Sequence, residues 1–533
     1  MLPCGAASAL GFAPLGWWPV WLGAVAVLLH ALAHAPWQRQ LWMGWAFGLG
    51  AAVATTHWIG IALWHQPGMP WGVGMGASAL AWLYSAWPWG LLGMLTGLLD
   101  RFAAPRMARW HAGPPLRGWR RLALPLAAVV PGWWSQAWWL SGFPWLVPGT
   151  VWLDTPLQGW GPVGGGLLMA TLGLGLAASA ALGWQAWLAR NTSDPADGSL
   201  RRVATGTGLL WLLAWGGGAV LQTVEWTQNT GAPVRVGVVQ VDMPILTRPD
   251  RTQEHAYQSM AWRITDALIR RHQVEVIVWP EALVTSPQPL LQDWLASHDS
   301  LLQARALVIG AAIETAPTAG DQPSRMVTNS LLAHGASASG RYDKRELVPM
   351  TERWPDSGPW PWLAAWANAR PWIRPGADSQ PPLVLAGQQV GASICYEDAF
   401  PHIYQGLPAS VGWLINSSND GWFARTPVMP AQHLALSRLR ALEQQKPLVR
   451  AANIGPSAVV DAWGRPVAQT ETGRPRMLHA DVQPRHGHTP YARWGHAWLW
   501  ALALPGLLLP ALASRTASSA PHSPYSRTSM PPA

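Results

Sequence analysis

The sequence predicts a multi-span α-helical membrane bundle of about eight transmembrane helices, with a soluble α/β domain inserted before the last helix. Two observations lead to this fold class. Residues 1–222 are a succession of long apolar stretches, and residues 494–513 form one more. Between them, residues 223–490 read as strands and helices in alternation, with apolar strands bounded by turns. Such strands indicate a sheet that is buried on both faces.

The apolar stretches are long enough to span a bilayer, because about twenty residues cross its hydrocarbon core. The candidates are Leu41–Trp64, Trp71–Leu99, Leu122–Gly142, Gly161–Ala189, Val203–Leu221 and Trp494–Ala513. The first 34 residues contain no Lys, Arg, Asp or Glu, and a Pro-Leu-Gly break at 14–16 divides them. We therefore predict two short spans joined by a tight turn. A cleaved signal peptide is disfavoured, because no basic segment precedes the apolar run.

The arginines predict the orientation of the bundle. The loops at 35–40, 100–121 and 190–202 carry arginine, whereas those at 65–70 and 143–160 carry no Lys or Arg. By the positive-inside bias, the arginine-bearing loops are cytoplasmic. Counting crossings then places both termini inside and the soluble domain outside.

The chain is accordingly predicted to have four parts. These are a membrane domain (1–222), a soluble domain (223–490), a C-terminal transmembrane helix (491–515) and a disordered cytoplasmic tail rich in Ser and Pro (516–533). The net charge of +9 follows mostly from the cytoplasmic arginines. No basic cluster in the soluble domain suggests nucleic-acid binding. No residues have metal-ligand spacing, and two distant cysteines make no zinc site, so we expect neither metal nor cofactor.

Within the soluble domain, the sequence predicts nine strands and two main helices. The strands are 234–241, 274–279, 306–313, 326–334, 382–386, 390–395, 411–416, 448–452 and 458–461, and the helices are 252–271 and 430–445.

Three ionisable residues fall at or just past strand ends, where sites gather in open α/β sheets. The chain has two lysines and two cysteines against 34 arginines, and one of each, Lys344 and Cys395, lies in this domain near such an end. Glu281 follows the apolar run VEVIVWP. A carboxylate, an ammonium and a thiol together can carry out acyl transfer. Each also has a structural interpretation. Glu281 could be a charge at a helix N-terminus, Lys344 half of a surface ion pair, and Cys395 a small core residue. Spacing alone leaves both open.

The segments around these residues resemble a known family. VWPEA, YDKRELVPM and ICYED, in that order, resemble the Glu-Lys-Cys signature of the nitrilase (carbon–nitrogen hydrolase) superfamily. GFAPLGWWP, LVPMTERWP and the stretch from NSSNDGWF to AVVDAWG resemble the apolipoprotein N-acyltransferase family, integral-membrane enzymes that complete lipoprotein maturation in Gram-negative-type bacteria. The resemblance implies that the inserted domain is a nitrilase-like αββα sandwich on the periplasmic side of the inner membrane.

The resemblance also implies residue roles. Glu281 matches the general base, Lys344 the oxyanion-stabilising lysine and Cys395 the nucleophile. Glu352 matches a supporting acid, and Tyr396 and Glu397 match the residues that follow the nucleophile. One position departs from the family: a tryptophan often found nine residues after the first-strand glutamine is replaced by Pro249.

The implied reaction transfers a fatty acyl chain from a membrane phospholipid, through a Cys395 thioester, to the α-amine of a diacylglyceryl-cysteine on an apolipoprotein. The implied enzyme is a monomer without a cofactor. Segment 353–372 is rich in tryptophan with polar interruptions, a composition that favours the headgroup level of a membrane, so we expect a membrane-facing arm over the site; the alternative is an ordinary hydrophobic loop that packs on the domain. Two alternatives are a membrane-bound amidase that uses water as acceptor and a non-enzymatic transporter or scaffold. A transporter would have ionisable residues within its spans, and a scaffold would have lost one of the three residues.

Other polar residues have simpler interpretations. Asn419-Asp420-Gly421 is a turn signal on local chemistry alone. His433 is expected to be a helix-surface or hydrogen-bonding residue and not a base. Arg438, Arg440 and Glu443 fall at near-helical spacing and are expected to form scaffold ion pairs.

Overall fold

A computed structural model gives the fold. It describes residues 1–64, 71–102, 126–189, 198–243, 251–315, 326–349, 351–353, 373–423 and 426–499. Four features of the sequence analysis lie outside these residues: the tryptophan-rich segment beyond Arg353, the position of Pro249, most of the predicted C-terminal span and the tail.

The N-terminal part of the described chain is helical. Its helices are α1 (Leu2–Ser8), α2 (Trp18–His34), α3 (Trp37–Thr55), α4 (His57–Trp64), α5 (Trp71–Phe102), α6 (126–135), α7 (Gly161–Ala189), α8 (Gly198–Trp211) and α9 (Gly217–Leu221). A π-helical stretch, Leu212–Gly216, makes α8 and α9 continuous. Short 3₁₀ turns fill the chain between α6 and α7.

Only part of the predicted set of eight spans is seen. In the described ranges, one helix, Pro156–Leu188, is long and apolar enough to cross a membrane, and Trp37–Thr55 with His57–Trp64 makes a second candidate if this pair, bent by 55°, counts as one span. The predicted span Leu122–Gly142 is not one helix, because α6 ends at residue 135 and turns follow. Within these turns, Leu140 and Gly142 have positive φ, a backbone conformation that a right-handed helix does not contain.

Helix α7 contains a backbone break that fits it to the soluble domain. Gly165 has φ +72, and a Cβ at this position would lie 2.5 Å from the Tyr491 ring, so glycine is required twice over. The break frees the backbone N–H of Gly166, which donates a 2.8 Å hydrogen bond to Oε1 of Glu443. Glu443 also pairs with Arg440 at 3.0 Å, as expected for a scaffold ion pair.

The soluble part contains two large sheets. The strands are β1 (Thr227–Asn229), β2 (Val234–Gln240), β3 (Val276–Val278), β4 (Val284–Pro287), β5 (Ala306–Thr315), β6 (Met326–His334), β7 (Ala338–Ser339), β8 (Arg341–Asp343), β9 (Leu383–Leu385), β10 (Gln388–Ile394), β11 (Val411–Ser418), β12 (Leu448–Ala452), β13 (Ala458–Val460), β14 (Pro466–Gln469), β15 (Arg476–Val482) and β16 (Arg485–Gly487). The helices are α10 (Arg251–His272), α11 (Gln288–Ala296), α12 (Asp299–Leu302), α13 (Val428–Gln444) and α14 (Pro490–Trp494).

Strand order and side-chain alternation give the layers. One sheet runs β15-β2-β3-β5-β6-β8, with β4 also paired to β5, and the other runs β14-β13-β12-β11-β10-β9-β7. Val236 and Val238 face the core between the sheets, whereas Val239 and Ile277 face the core beneath α10. This period of two buries both faces of the first sheet. The result confirms the predicted αββα sandwich.

Helix α13 is the layer that joins the sandwich to the membrane helices. Its residues Leu434 and Leu436 belong to the core of the sandwich, whereas Leu439 and Leu442 pack into the core formed with α2 and α7. Helix α13 is therefore buried on two sides and packs against both parts.

The predicted elements of the soluble domain form close to their expected bounds, but the sheets also contain strands beyond residue 461, where the last predicted strand ends. Strands β14, β15 and β16 follow, and β15 pairs antiparallel with β2 along seven residues. We did not predict β15 because it is an edge strand with polar residues such as Arg476 and Asp481, and it is mostly exposed or half-buried.

Candidate active site

Cys395 lies on a sharp turn directly after β10, with φ +52. A non-glycine residue in this region is strained and persists only where its surroundings hold it. Two side chains hold the Cys395 carbonyl here: His433 through Nε2 at 2.9 Å and Asn416 through Nδ2 at 3.3 Å. The turn places the thiol at the end of a central strand, as predicted, and only 9% of the residue is exposed.

Glu281 follows β3, also as predicted, and is buried. Its Oε1 accepts hydrogen bonds from Asn329 Nδ2 at 2.6 Å and from Lys344 Nζ at 3.2 Å. Its Oε2 accepts one from the backbone N–H of Asn419 at 2.7 Å. Gly310 packs against the backbone here, since a Cβ on it would lie 2.6 Å from the Glu281 Cα. The carboxylate is therefore fixed from several sides.

Lys344 lies between two carboxylates. Its Nζ donates to Glu281 at 3.2 Å and to Glu352 at 2.7 Å, and its side chain is 1% exposed. Burial alone would lower the pKa of this ammonium, but Glu281 and Glu352 outweigh burial and hold the pKa well above its ordinary value. The lysine is therefore a fixed cation. The structure brings Glu352, expected to be a supporting acid, into direct contact with it.

The electrostatics of the thiol favour its protonated form. Burial, followed by the charge of Glu281, raises the pKa of Cys395, and Lys344 opposes the rise. Contacts place Glu281 near the same turn: its carboxylate accepts a hydrogen bond from the Asn419 N–H, and the next residue, Asp420, has a carboxylate oxygen within 4.8 Å of the Cys395 sulfur. A thiol that stays protonated at neutral pH needs a base to become a nucleophile, and Glu281 is the carboxylate that acts on it most strongly.

Glu397 ties the turn of Cys395 to the loop that follows Lys344. Its carboxylate accepts four hydrogen bonds, from Tyr342 Oη (2.9 Å), Ile394 N (2.7 Å), Arg345 N (2.7 Å) and Glu346 N (3.1 Å). Burial raises the pKa of Glu397 to about 7, although the backbone N–H donors act in the opposite direction and lower it. Since the donors come from both segments, Glu397 sets the position of Lys344 relative to Cys395.

Tyr396 points toward the membrane helices instead. Its hydroxyl donates to the Gly142 carbonyl at 3.0 Å, and its ring stacks with Phe143 and Trp145 at 6.3 and 6.4 Å between centroids. It therefore fixes the nucleophile turn against the segment between α6 and α7.

Sequence reasoning missed the polar residues behind the turn. Asp420 is completely buried and accepts hydrogen bonds from His433 Nδ1 at 2.9 Å, Arg450 Nη2 at 2.6 Å and Ser418 Oγ at 2.7 Å. Burial raises its pKa, but Arg450 and His433 outweigh this and hold the pKa well below its ordinary value. One feature of the sequence does indicate a buried polar network: the polar side chains Asn329, Asn416 and Arg450 lie within otherwise apolar strands.

One group of potential metal ligands lies in this region. Cys395, Asp420 and His433 each offer a donor atom, and these atoms lie within 4.8 Å of one another. Both ring nitrogens of His433 and both oxygens of Asp420 are already hydrogen-bonded within the protein. The donor set therefore does not fit a metal ion.

Gln432, next to His433, connects the site to the bent helix pair. Its Oε1 accepts hydrogen bonds from the indole N–H groups of Trp58 at 3.1 Å and Trp145 at 2.8 Å. Its Nε2 donates to the Thr55 carbonyl at 3.0 Å, where α3 ends. Neighbouring residues of α13 thus contact the membrane helices and the nucleophile turn.

Comparisons with known proteins agree with this architecture. Two family models match: "Carbon-nitrogen hydrolase" over residues 235–491 and "Apolipoprotein N-acyltransferase N-terminal domain" over residues 4–179. A protein of Azotobacter vinelandii named apolipoprotein N-acyltransferase is 32% identical, with 93% of this chain and 91% of that protein covered. Proteins of the same name from Pseudomonas syringae pv. tomato (31% identical, 95% and 94% covered) and Nitrosomonas europaea (32%, 95% and 94%) are similarly related.

Proposed function

The chain belongs to the apolipoprotein N-acyltransferase family, and on that premise we propose that it transfers a fatty acyl chain from a membrane phospholipid to the α-amine of a diacylglyceryl-cysteine on an apolipoprotein. The observation that carries the proposal is the joint burial of a carboxylate, an ammonium and a thiol just past the ends of β3, β8 and β10, strands that belong to the two facing sheets. Glu281 and Lys344 lie 3.2 Å apart, and both act on the Cys395 thiol.

In the first half-reaction, Glu281 takes the proton of the Cys395 thiol, and the thiolate attacks the carbonyl carbon of an acyl ester. Lys344 has three N–H bonds; two are directed at Glu281 and Glu352, and the third is suited to the oxyanion that forms. The carbon–oxygen bond to the glycerol then breaks, and the leaving oxygen takes the proton from Glu281. A lysophospholipid leaves and a thioester remains.

In the second half-reaction, the α-amine attacks the thioester carbonyl and gives a proton to Glu281. The carbon–sulfur bond breaks, an amide forms, and the Cys395 thiolate recovers the proton. Water would divert the thioester to hydrolysis, so a buried sulfur favours transfer. Glu352 keeps Lys344 charged and placed, and Glu397 keeps its loop fixed to the nucleophile turn.

The proposal extends to topology. The proposed arrangement is the one that the sequence predicts: the same domain division, eight crossings, a soluble domain on the periplasmic side of the inner membrane and cytoplasmic termini. The alternation of arginine-bearing loops supports it. In this arrangement, the acyl donor reaches the site from the bilayer. The proposed unit is a monomer that needs neither cofactor nor nucleic acid.

A two-substrate assay tests the function. Detergent-solubilised protein is incubated with phospholipid labelled in its acyl chains and a diacylglyceryl peptide. We expect acylated peptide from the wild type and none from Cys395→Ala. Release of free fatty acid without peptide acylation, or of ammonia from amide substrates, would instead favour the rival amidase.

A further inference from the structure

His433 is completely buried, and its ring is held at both nitrogens. Nε2 lies 2.9 Å from the backbone carbonyl of Cys395, which can only accept a hydrogen bond, so Nε2 carries a hydrogen. Nδ1 lies 2.9 Å from an oxygen of Asp420. That carboxylate already pairs with Arg450 at 2.6 Å and is ionised, so it also can only accept. Both nitrogens therefore donate.

The charges around the sulfur lead to the same protonation state. The ion pairs around the site contain three carboxylates (Glu281, Glu352, Asp420) and two cations (Lys344, Arg450), and the carboxyl groups of Glu397 and Asp398, just past Cys395, are also buried. With a neutral imidazole, this set has a net negative charge beside a thiol that must ionise. An imidazolium reduces this excess of negative charge.

We propose that His433 is held as an imidazolium behind the nucleophile turn, where it positions the strained Cys395 backbone and stabilises the thiolate. The inference rests on the proposed function and adds to it a cation other than Lys344. Because Nδ1 and Nε2 are both directed at protein acceptors, His433 is a positioning residue and exchanges no proton with substrate.

The magnitude follows from Coulomb's law. The sulfur and the nearest ring nitrogen lie within 4.8 Å. At that separation, removing one unit charge disfavours the thiolate by about 4-fold at a dielectric constant of about 80 and by about 300-fold at about 20.

The test measures the thiol without either substrate. In a Cys4→Ala background, Cys395 is the only cysteine, and its alkylation by iodoacetamide is followed against pH in the full-length protein. His433→Gln keeps a donor for the Cys395 carbonyl but removes the charge. Asn416→Ala is the matched control, because it removes the other hydrogen bond to that carbonyl, together with the bonds of Asn416 to Ser393 and Arg450, and removes no charged group.

We expect His433→Gln to slow alkylation at neutral pH by about 4-fold to 300-fold and to displace the profile to higher pH. Asn416→Ala should leave the position of the profile unchanged. A His433→Gln profile that superimposes on that of the parent, or that moves no further than that of Asn416→Ala, overturns the inference. Since no acyl substrate is present, this failure is distinct from failure of the proposed transfer activity.

A measurement on the unmutated protein covers the case in which His433→Gln does not fold. Ring-¹⁵N-labelled histidine in the full-length protein should show, near pH 7.5, one ring with both nitrogens protonated, whereas exposed rings are mostly neutral there. A spectrum in which every ring carries a single proton overturns the proposal.

Discussion

Gly310 offers the sharpest test of how the fold positions Glu281. It lies in β5 beside the end of β3, and the Cβ of an alanine there would lie 2.3 Å from the Pro280 carbonyl oxygen and 2.6 Å from the Glu281 Cα. Ordinary contacts of a Cβ begin at 3.4 Å. The backbone that carries Glu281 must therefore move by about 1 Å, a displacement that can cost about 100-fold in rate.

Gly310→Ala should accordingly lower kcat/KM for acyl transfer by about 100-fold while alkylation of Cys395 by a small reagent persists. Gly237→Ala is the matched control, because it lies in the same sheet and its Cβ would meet only side-chain methyl groups, the nearest at 3.0 Å. Folding of both variants is checked by thermal unfolding in detergent. Folded Gly310→Ala protein with activity within about 3-fold of wild type, or equal losses in both variants, would refute the reasoning.

Three further predictions concern the residues around the site. Glu352→Gln replaces the charged acceptor of Lys344 by a neutral one and loses a charge-assisted hydrogen bond worth about 1.5–3 kcal/mol, so kcat should fall by about 10-fold to 100-fold, and an unchanged kcat would contradict this role. Gln432→Leu leaves two buried indole N–H groups without their acceptor, at about 1–3 kcal/mol each, which denaturant unfolding should detect as lost stability. The pKa of Glu397 is raised from 4.5 to about 7, so its contribution to stability is complete below about pH 4.5 and is lost as pH rises through about 7. Unfolding midpoints measured across that window should depend less on pH in Glu397→Gln, and equal slopes would count against the assignment.

The soluble domain was predictable because its strands are apolar and its turns are marked. Residues 326–334 and 448–452 form strands with the predicted bounds. The three chemical groups were found by scarcity and position, and the segments around them identified the family. The edge strand β15 was missed because an exposed strand lacks the apolar run on which the prediction relied.

The supporting shell was beyond sequence reasoning because its partners are distant in the chain. Asn329 and Glu281 are 48 residues apart, and His433 and Cys395 are 38 apart. His433 lies on α13 near other polar residues, and the neighbouring sequence does not distinguish a buried histidine that binds the Cys395 carbonyl from a surface histidine. The N-terminal part was also harder to predict, since turns that follow α6 interrupt a stretch, Leu122–Gly142, that contains no charged residue in sequence.

Direct detection of the acyl-enzyme tests the central claim. Wild-type protein is incubated with phospholipid alone, digested under mildly acidic conditions and analysed by mass spectrometry. We predict that the peptide containing Cys395 carries one acyl chain, that hydroxylamine removes it, and that adding diacylglyceryl peptide transfers it to the α-amine. Acylated peptide produced while Cys395 never carries an acyl chain, or produced equally by Cys395→Ala, would contradict the account.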